Sequence, residues 1–272
     1  MNSSLNRLQY ILFLLLPISL VSGPFLPDLF IVIIGLTFFY QCYLLNDWSL
    51  FNTIYVKVFL IWCIFIIFSS ILSSDPYLSL ESSLFYFRHG LFALAVVYIL
   101  RNNKNAKKYF FYSLLITIFI LIIDSFYQYI SGVNITNDAI INNRLSSLFG
   151  DELILGAFLS KIIPLFIALS FIFYKKSNST RIFAIAFFLL CSILIFLSGE
   201  RSAFINLLLF YFIIFFLIEG RKLKLLFISI GIIVSIILIL FSNQNLKNRM
   251  IDYTIWQTKS SFTFSLHHDL IY

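Results

Sequence analysis

The sequence predicts an all-α protein, a polytopic bundle of about nine transmembrane helices. Three observations indicate this. Of the 272 residues, 61% are hydrophobic and only 11% are charged, whereas a typical soluble domain is about half apolar and about a quarter charged. The mean hydropathy is +0.98, which leaves too little polar surface to cover a globule in water. We expect one domain, because nine glycines and five prolines leave little room for linkers.

The net charge of +7 does not indicate nucleic-acid binding. The basic residues lie in small clusters between apolar runs, a pattern typical of membrane topology. Cys42, Cys63 and Cys191 all lie inside apolar segments without metal-ligand spacing, so neither a metal site nor a disulfide framework is expected. The predicted partners therefore include membrane lipids and no nucleic acid.

Apolar runs long enough to cross a bilayer divide the chain into its predicted elements. A crossing helix needs roughly 20 residues for a hydrocarbon core of about 30 Å. The predicted spans are residues 9–22, 26–45, 54–73, 84–100, 109–131, 152–174, 182–197, 203–218 and 225–242. The first has features of a signal peptide, with Arg7 ahead of an apolar run and small residues near Ser22. Because further apolar segments follow at once, we interpret it as an uncleaved helix, and residues 1–242 as one transmembrane domain.

The seventh and eighth spans depend on one interruption in an apolar stretch. A single straight helix over residues 182–218 would reach about 55 Å at about 1.5 Å per residue, which is too long for one crossing. The interruption is Ser198-Gly199-Glu200-Arg201-Ser202, with a flexible glycine and two charges. It predicts a tight hairpin between two short helices.

Lysine and arginine in the short loops set the predicted orientation. A cytoplasmic N-terminus puts eleven basic residues inside: Arg7, Arg101, Lys104, Lys107, Lys108, Lys175, Lys176, Arg181, Arg221, Lys222 and Lys224. The short outside loops then hold only Arg144 and Arg201, while the tail after Phe241 adds Lys247, Arg249 and Lys259 outside. We therefore predict a multi-pass protein with its N-terminus in the cytoplasm.

Four charged residues fall within the predicted spans, at Lys57, Arg88, Asp124 and Lys161. Lys57 lies near the inner end of its span, where its side chain reaches the headgroups. The other three lie deeper, where a lone charge costs at least about 2.5–3.5 kcal/mol. Either Asp124 pairs with Arg88 or Lys161 to hold helices together, or the three form the floor of an outward-facing polar cavity. We interpret His89, beside Arg88, as a packing residue.

Two arginines in the predicted outer loops are the strongest candidates for binding an anion. Arg144 and Arg201 each lie near a glycine, in segments that otherwise lack basic residues. Each is either an ordinary interfacial arginine or a ligand for phosphate, since the guanidinium fork grips phosphate oxygens in pairs. An outer cavity formed by Arg88, Arg144 and Arg201 would suit a diphosphate headgroup.

The same two segments resemble the O-antigen ligase and polymerase superfamily. The stretch Arg144-Leu-Ser-Ser-Leu-Phe-Gly150, continuing through Leu155-Gly156 to Pro164, is similar to the family's arginine-glycine motif before a proline-containing helix. The stretch Leu197-Ser-Gly-Glu-Arg201-Ser-Ala203 is similar to its Ser-Gly-x-Arg-(Gly/Ser)-Ala turn. The resemblance covers roughly residues 70–272.

The resemblance implies a GT-C-like, metal-independent glycosyltransferase without a cofactor, acting at the periplasmic face of the bacterial inner membrane. Its donor would be an undecaprenyl-diphosphate-linked glycan, and its acceptor either lipid A core or another glycan. Arg144 and Arg201 would be catalytic, each stabilising the leaving diphosphate by about 3 kcal/mol. Arg88 and Lys161 would join them in substrate binding. Ligase and polymerase are not distinguished.

The resemblance also predicts that the sequence is a C-terminally truncated fragment. Members of the family follow these helices with a long periplasmic loop carrying a catalytic-type histidine, and then with further helices. Residues 243–272 are interpreted as the start of that loop. We expect the general base to lie beyond Tyr272 rather than at His267 or His268, so the fragment alone would be inactive.

Two other classes of function stay open. A transporter or flippase for an anionic lipid or polyprenyl-linked sugar would use the same intramembrane charges as a translocation path. Transporters of that kind usually contain inverted repeats, and no such symmetry is visible in the sequence. The third class is a structural membrane subunit in which the charges only fix helix contacts.

Overall fold

The computed structural model describes residues 3–141, 144–174 and 178–217. The predicted span 225–242 and the predicted loop 243–272 lie outside the described residues. Within the described ranges the regular structure is helical, and β-type pairing is limited to two isolated bridges, Val133 with Ala139 and Ile141 with Arg144. The all-α prediction is thus confirmed for this part of the chain.

Nine α-helices run through the described ranges. They are α1 Ser3–Ser19, α2 Phe25–Leu45, α3 Ile54–Ile71, α4 Pro76–Leu84, α5 Phe87–Asn102, α6 Ala106–Ser131, α7 Leu155–Tyr174, α8 Asn178–Leu197 and α9 Arg201–Leu217. Two single-turn 3₁₀ helices, Ser49–Phe51 and Ser147–Phe149, lie in connecting segments. Helix α1 begins at Ser3, ahead of the predicted start at residue 9, and the ends of the other helices that match predicted spans lie close to the predicted ends, because the same apolar runs determine both.

Five segments of the described chain are long and apolar enough to cross a membrane. They are Phe25–Leu45, Ile54–Ile71, Pro76–Asn102, Ala106–Ser131 and Leu155–Phe173. The third of them joins α4 and α5 across a short break at Phe85 and Tyr86. Ala186–Leu197 and Arg201–Ile213 are apolar but shorter. The protein therefore has the character of a membrane protein, whereas the count of nine spans stays a prediction.

The burial of these helices also indicates a lipid environment. The apolar window of α3 has a mean hydropathy of 2.4, yet only 11% of it is buried. Large side chains such as Trp62 and Phe65 lie exposed on α3. In water, a helix that is apolar all round must be covered by protein. Lipid is the solvent in which such a surface needs no protein cover.

One helix was not predicted by the span assignment. Residues between the predicted third and fourth spans form α4, which packs against α3. Pro76 is the first residue of α4, a position that suits proline because its missing N–H has no partner in the first turn anyway. The sequence signal for the start of α4 is therefore the proline that follows Asp75, and not a long apolar run.

The chain divides into two compact regions, and the first is Met1–Leu114. Its buried core includes Phe13 of α1, Ile34 and Phe38 of α2, and Ala95 and Ile99 of α5. The first two helices also share a buried hydrogen bond, in which Gln9 donates to Gln41 over 3.1 Å. This region is therefore built largely from apolar helix packing.

The second region begins at Leu115, inside α6. In its described part, α7 packs against both α8 and α9. Helix α8 ends at Leu197 and α9 begins at Arg201, with Gly199 at φ +66° in the turn between them. The predicted hairpin is confirmed, and the left-handed backbone at Gly199 explains why a glycine suits this turn.

Candidate functional site

The side chain of Arg144 joins the two segments that resemble the ligase and polymerase superfamily. Its Nε donates to the carbonyl oxygen of Ser198 over 2.8 Å, and its Nη2 donates to the carbonyl oxygen of Leu153 over 2.9 Å. Arg144 is only 8% exposed. The guanidinium thus connects the segment before α7 to the α8–α9 turn, 54 residues further along the chain.

Glu200 is the acidic partner of Arg144. Its Oε1 lies 3.5 Å from Nη2 of Arg144, and the two side chains are 11% and 10% exposed. Its other oxygen, Oε2, accepts a hydrogen bond of 2.8 Å from the backbone N–H of Ala157. Ala157 lies in the first turn of α7, where N–H groups have no partner within the helix. Glu200 therefore joins three pieces of backbone: the Arg144 segment, the first turn of α7 and its own turn.

Close backbone packing brings the same elements together. A Cβ atom on Gly156 would lie 2.2 Å from Oγ of Ser198 and 3.2 Å from the Cβ atoms of Ala203 and Glu200. A larger residue here would force the Ser198 side chain to rotate and its neighbours to shift slightly, so glycine suits this close approach. The glycine of the first resembling segment is thus explained by contact with the second.

Two polar side chains of α6 hold the Arg144 segment from its other side. Asp124 is fully buried and accepts hydrogen bonds from the backbone N–H of Ile135 over 2.8 Å and from the hydroxyl of Ser147 over 2.6 Å. Gln128 lies one helical turn further on, and its Oε1 accepts from the backbone N–H groups of Ser146 and Ser147. The segment is therefore anchored to α6 at several points.

The connection between α6 and Arg144 also contains an internal polar turn. Asn134 Nδ2 donates to the carbonyl oxygen of Ser147 over 2.7 Å and to the carboxylate of Asp138 over 3.0 Å. Thr136 donates to the same carboxylate. These two side-chain hydrogen bonds, from Thr136 first and Asn134 second, lower the pKa of Asp138 below its ordinary value. The carboxylate is thus stabilised in the ionised form that organises the turn.

The contacts of Asp124 contradict the alternative in which it pairs with Arg88 or Lys161. Both carboxylate oxygens of Asp124 bind groups of the neighbouring segment, Ile135 and Ser147. Arg88 instead forms an ion pair with Asp28 over 2.9 Å, linking α5 to α2. A buried carboxylate next to a long connection finds backbone and hydroxyl donors nearer than another helix's cation, and the sequence alone does not show this.

The remaining predicted site residues occupy different places. Lys161 is an exposed residue of α7, and Arg201 is the partly exposed first residue of α9. Both lie in the same region as Arg144, whereas Arg88 belongs to the first region. The joint outer cavity of Arg88, Arg144 and Arg201 therefore stays a prediction. His267 and His268 lie outside the described residues.

The site contains two residues that the sequence interpretation did not single out, Glu200 and Gln128. A signal existed for each. Glu200 is a charge inside an apolar stretch, and Gln128 follows Asp124 by four residues and so shares its helix face. Across the described ranges no group of three or more His, Cys, Asp or Glu side chains is arranged to hold a metal ion.

Comparisons with known proteins return no relative of this chain. No protein-family model, no curated protein and no solved structure matches it.

Proposed function

We propose that this protein is a membrane glycosyltransferase of the O-antigen ligase or polymerase type. It would transfer an undecaprenyl-diphosphate-linked glycan to lipid A core or to another glycan. The observation that supports this best is the contact of Arg144 with Ser198. The resemblance of the Arg144 segment and the α8–α9 turn to one family's motifs was seen in the sequence alone. In the structure these two segments meet in a single buried network.

The proposed location follows from the charge pattern. Eleven basic residues in predicted inside segments favour a multi-pass topology in the bacterial inner membrane with a cytoplasmic N-terminus. The Arg144 segment and the α8–α9 turn then face the periplasm. Donors of this class present their diphosphate at that face, next to the headgroups.

In the proposed reaction an acceptor hydroxyl oxygen attacks the anomeric carbon of the donor. The bond from that carbon to the diphosphate oxygen breaks, and the lipid diphosphate leaves with the electron pair. The hydroxyl proton passes to a general base. Arg201 stabilises the charge that develops on the leaving group, since an electrostatic donor acts most strongly where charge forms in the transition state.

The contacts of Arg144 favour a different role for it from that of Arg201. Its Nε and Nη2 donate to two backbone carbonyls, and it also pairs with Glu200. We therefore propose that Arg144 positions the α8–α9 turn, while Arg201 and Lys161, which are more exposed, meet the diphosphate.

The test is complementation of surface-polysaccharide synthesis by the full-length reading frame. It is expressed in bacteria lacking their own O-antigen ligase and, separately, in bacteria lacking the polymerase, each supplied with native substrates. Glycan attached to lipid A core in the first strain identifies a ligase, and longer chains in the second identify a polymerase. No product in either strain, from protein that reaches the membrane, contradicts the proposal and favours the transporter class.

Arg201→Lys is the decisive variant in that assay. Lysine keeps the charge and loses the two-pronged guanidinium geometry, so we expect product to fall about 100-fold. Arg101→Lys is the matched control, because Arg101 is an exposed arginine in the last turn of α5. Full activity of Arg201→Lys would contradict the role given to Arg201 and favour a structural one.

A further inference from the structure

We infer that Glu200 is a positioning residue of this site, whose carboxylate holds the Arg144 segment and the first turn of α7 against the α8–α9 turn. The inference rests on the proposed function and adds to it a residue that the family resemblance does not assign. Glu200 directly precedes Arg201, the first residue of α9. The contacts of the Glu200 side chain therefore help to fix the position of Arg201.

The two oxygens of Glu200 have separate tasks. Oε2 accepts the N–H of Ala157 over 2.8 Å and so caps α7 from outside the helix. Oε1 is buried without a hydrogen-bond partner among the described residues, and its neighbour is Nη2 of Arg144 at 3.5 Å. A buried carboxylate oxygen of this kind is tolerated when a cation lies beside it. The charge of Arg144 thus offsets part of the cost of burying this carboxylate.

Two further cations lie close to this pair in the sequence or on the same helix. Arg144 and Glu200 neutralise one another, whereas Arg201 follows Glu200 directly and Lys161 lies four residues after Ala157, on the same face of α7. Both Arg144 and Lys161 act electrostatically on Glu200. In the proposed reaction the anionic donor meets Arg201 and Lys161, while the pair of Arg144 and Glu200 keeps the backbone in place.

Two substitutions of Glu200, one neutral and one shorter, distinguish the role of its charge from the role of its packing. Glu200→Gln keeps an oxygen for the N–H of Ala157 and removes the charge beside Arg144. Glu200→Asp keeps the charge on a side chain that is one methylene shorter. We expect Glu200→Gln to lower product about 100-fold, as expected when a reacting group is displaced by about 1 Å, and Glu200→Asp to lower it less.

Glu152→Gln is the matched control. Glu152 is an exposed glutamate in the segment between Arg144 and α7, so the chemical change is identical and close to the site. We expect product from this variant to equal that from the wild type. Wild-type product from Glu200→Gln, in protein present at the wild-type level, would overturn the inference.

A pH profile supplies a readout that a merely structural role would not change. Burial raises the pKa of Glu200, and the N–H of Ala157 and Arg144 offset part of the effect. Arg144 and Lys161 act electrostatically on its carboxylate, and Arg201 is the next residue in the sequence. In membranes from the complemented strains, wild-type activity should decline as the pH falls through this raised pKa, because protonation removes the ion pair. Glu200→Gln should lack that decline, and an unchanged decline would overturn the inference.

A measurement without activity separates this inference from the proposed function. If the wild type gives no product, the proposed function fails while Glu200 is still testable in purified full-length protein. Unfolding of Arg144→Lys, Glu200→Gln and the double variant in detergent forms a double-mutant cycle. Non-additive effects support the positioning pair, and additive effects overturn it.

Discussion

Two arginine ion pairs, one in each region of the chain, differ in what surrounds them. Arg88 lies 2.9 Å from Asp28, with side chains 36% and 45% exposed. Arg144 lies 3.5 Å from Glu200, with side chains 10% and 11% exposed, and donates to two backbone carbonyls as well. The pair with the shorter distance is therefore the more exposed one and has fewer partners.

Burial and further partners, rather than distance, decide what an ion pair contributes to stability. An exposed pair is screened, and its formation restricts two long side chains, so its net contribution is small. Removing one member of a buried pair leaves the other charge in a poorly solvated place.

Arg144→Ala should lower the free energy of unfolding by about 3–5 kcal/mol, the range for breaking a buried ion pair. It leaves the carboxylate of Glu200 and the carbonyl of Ser198 without this donor. Chemical unfolding in detergent measures the effect, with Arg101→Ala as the exposed control. A loss below about 1 kcal/mol, the range of surface pairs, would mean that the two pairs do not differ as we argue.

Asp124→Ala should lower the free energy of unfolding by about 2–3 kcal/mol, since one buried and one part-buried donor lose a charged acceptor. The donors are the N–H of Ile135 and the hydroxyl of Ser147. Ser125→Ala is the control, because Ser125 is equally buried on α6 and its hydroxyl has no hydrogen-bond partner in the described part of the chain. Equal losses from both variants would show that burial alone, and not the anchoring contacts, determines the effect.

Stability should also depend on pH through Glu200. Its pKa in the folded protein is raised above the ordinary 4.5, mainly by burial, so the folded state binds the proton more tightly than the unfolded state. This tighter proton binding stabilises the folded protein fully below the ordinary pKa of Glu200, and the stabilisation is lost as the pH rises through the raised pKa. Melting temperatures of the wild type should therefore fall across this window relative to Glu200→Gln. Parallel curves would contradict the raised pKa.

Asp28→Asn should change the free energy of unfolding least, by about 0.2–1 kcal/mol. Its partner Arg88 is more than a third exposed and gains solvent when the pair is broken. The same unfolding assay measures the change, and a double-mutant cycle with Arg88→Gln isolates the pair. A coupling as large as that between Arg144 and Glu200 would remove the distinction between the two regions.

Much of the fold was predictable because long apolar runs need no tertiary information. The boundaries of α2 at Phe25–Leu45 and of α3 at Ile54–Ile71 follow from where apolar residues begin and end. The α8–α9 hairpin followed from Gly199 and two adjacent charges in a stretch too long for one crossing. Helix α4 was missed, because a short helix starting at Pro76 has no apolar run of spanning length.

The candidate site was predictable only in part. Arg144 and Arg201 stood out as arginines near glycine in polar interruptions, and composition is enough to find them. The partners of Asp124 were not predictable, because they are an N–H and a hydroxyl 11 and 23 residues away. Many backbone N–H groups could donate to a buried carboxylate, and the geometry of the connecting segment determines which of them does.

The helical class, the membrane character and the place of the hairpin can be inferred from the sequence, since they depend on local composition and on the length of apolar runs. The pairing of charges depends instead on the tertiary structure. Arg144 pairs with Glu200 and Arg88 with Asp28, because contact between residues distant in the chain depends on how helices pack. Gly156 lets α7 approach the α8–α9 turn closely. The residues next to Gly156 in the sequence do not indicate that this turn is what it contacts.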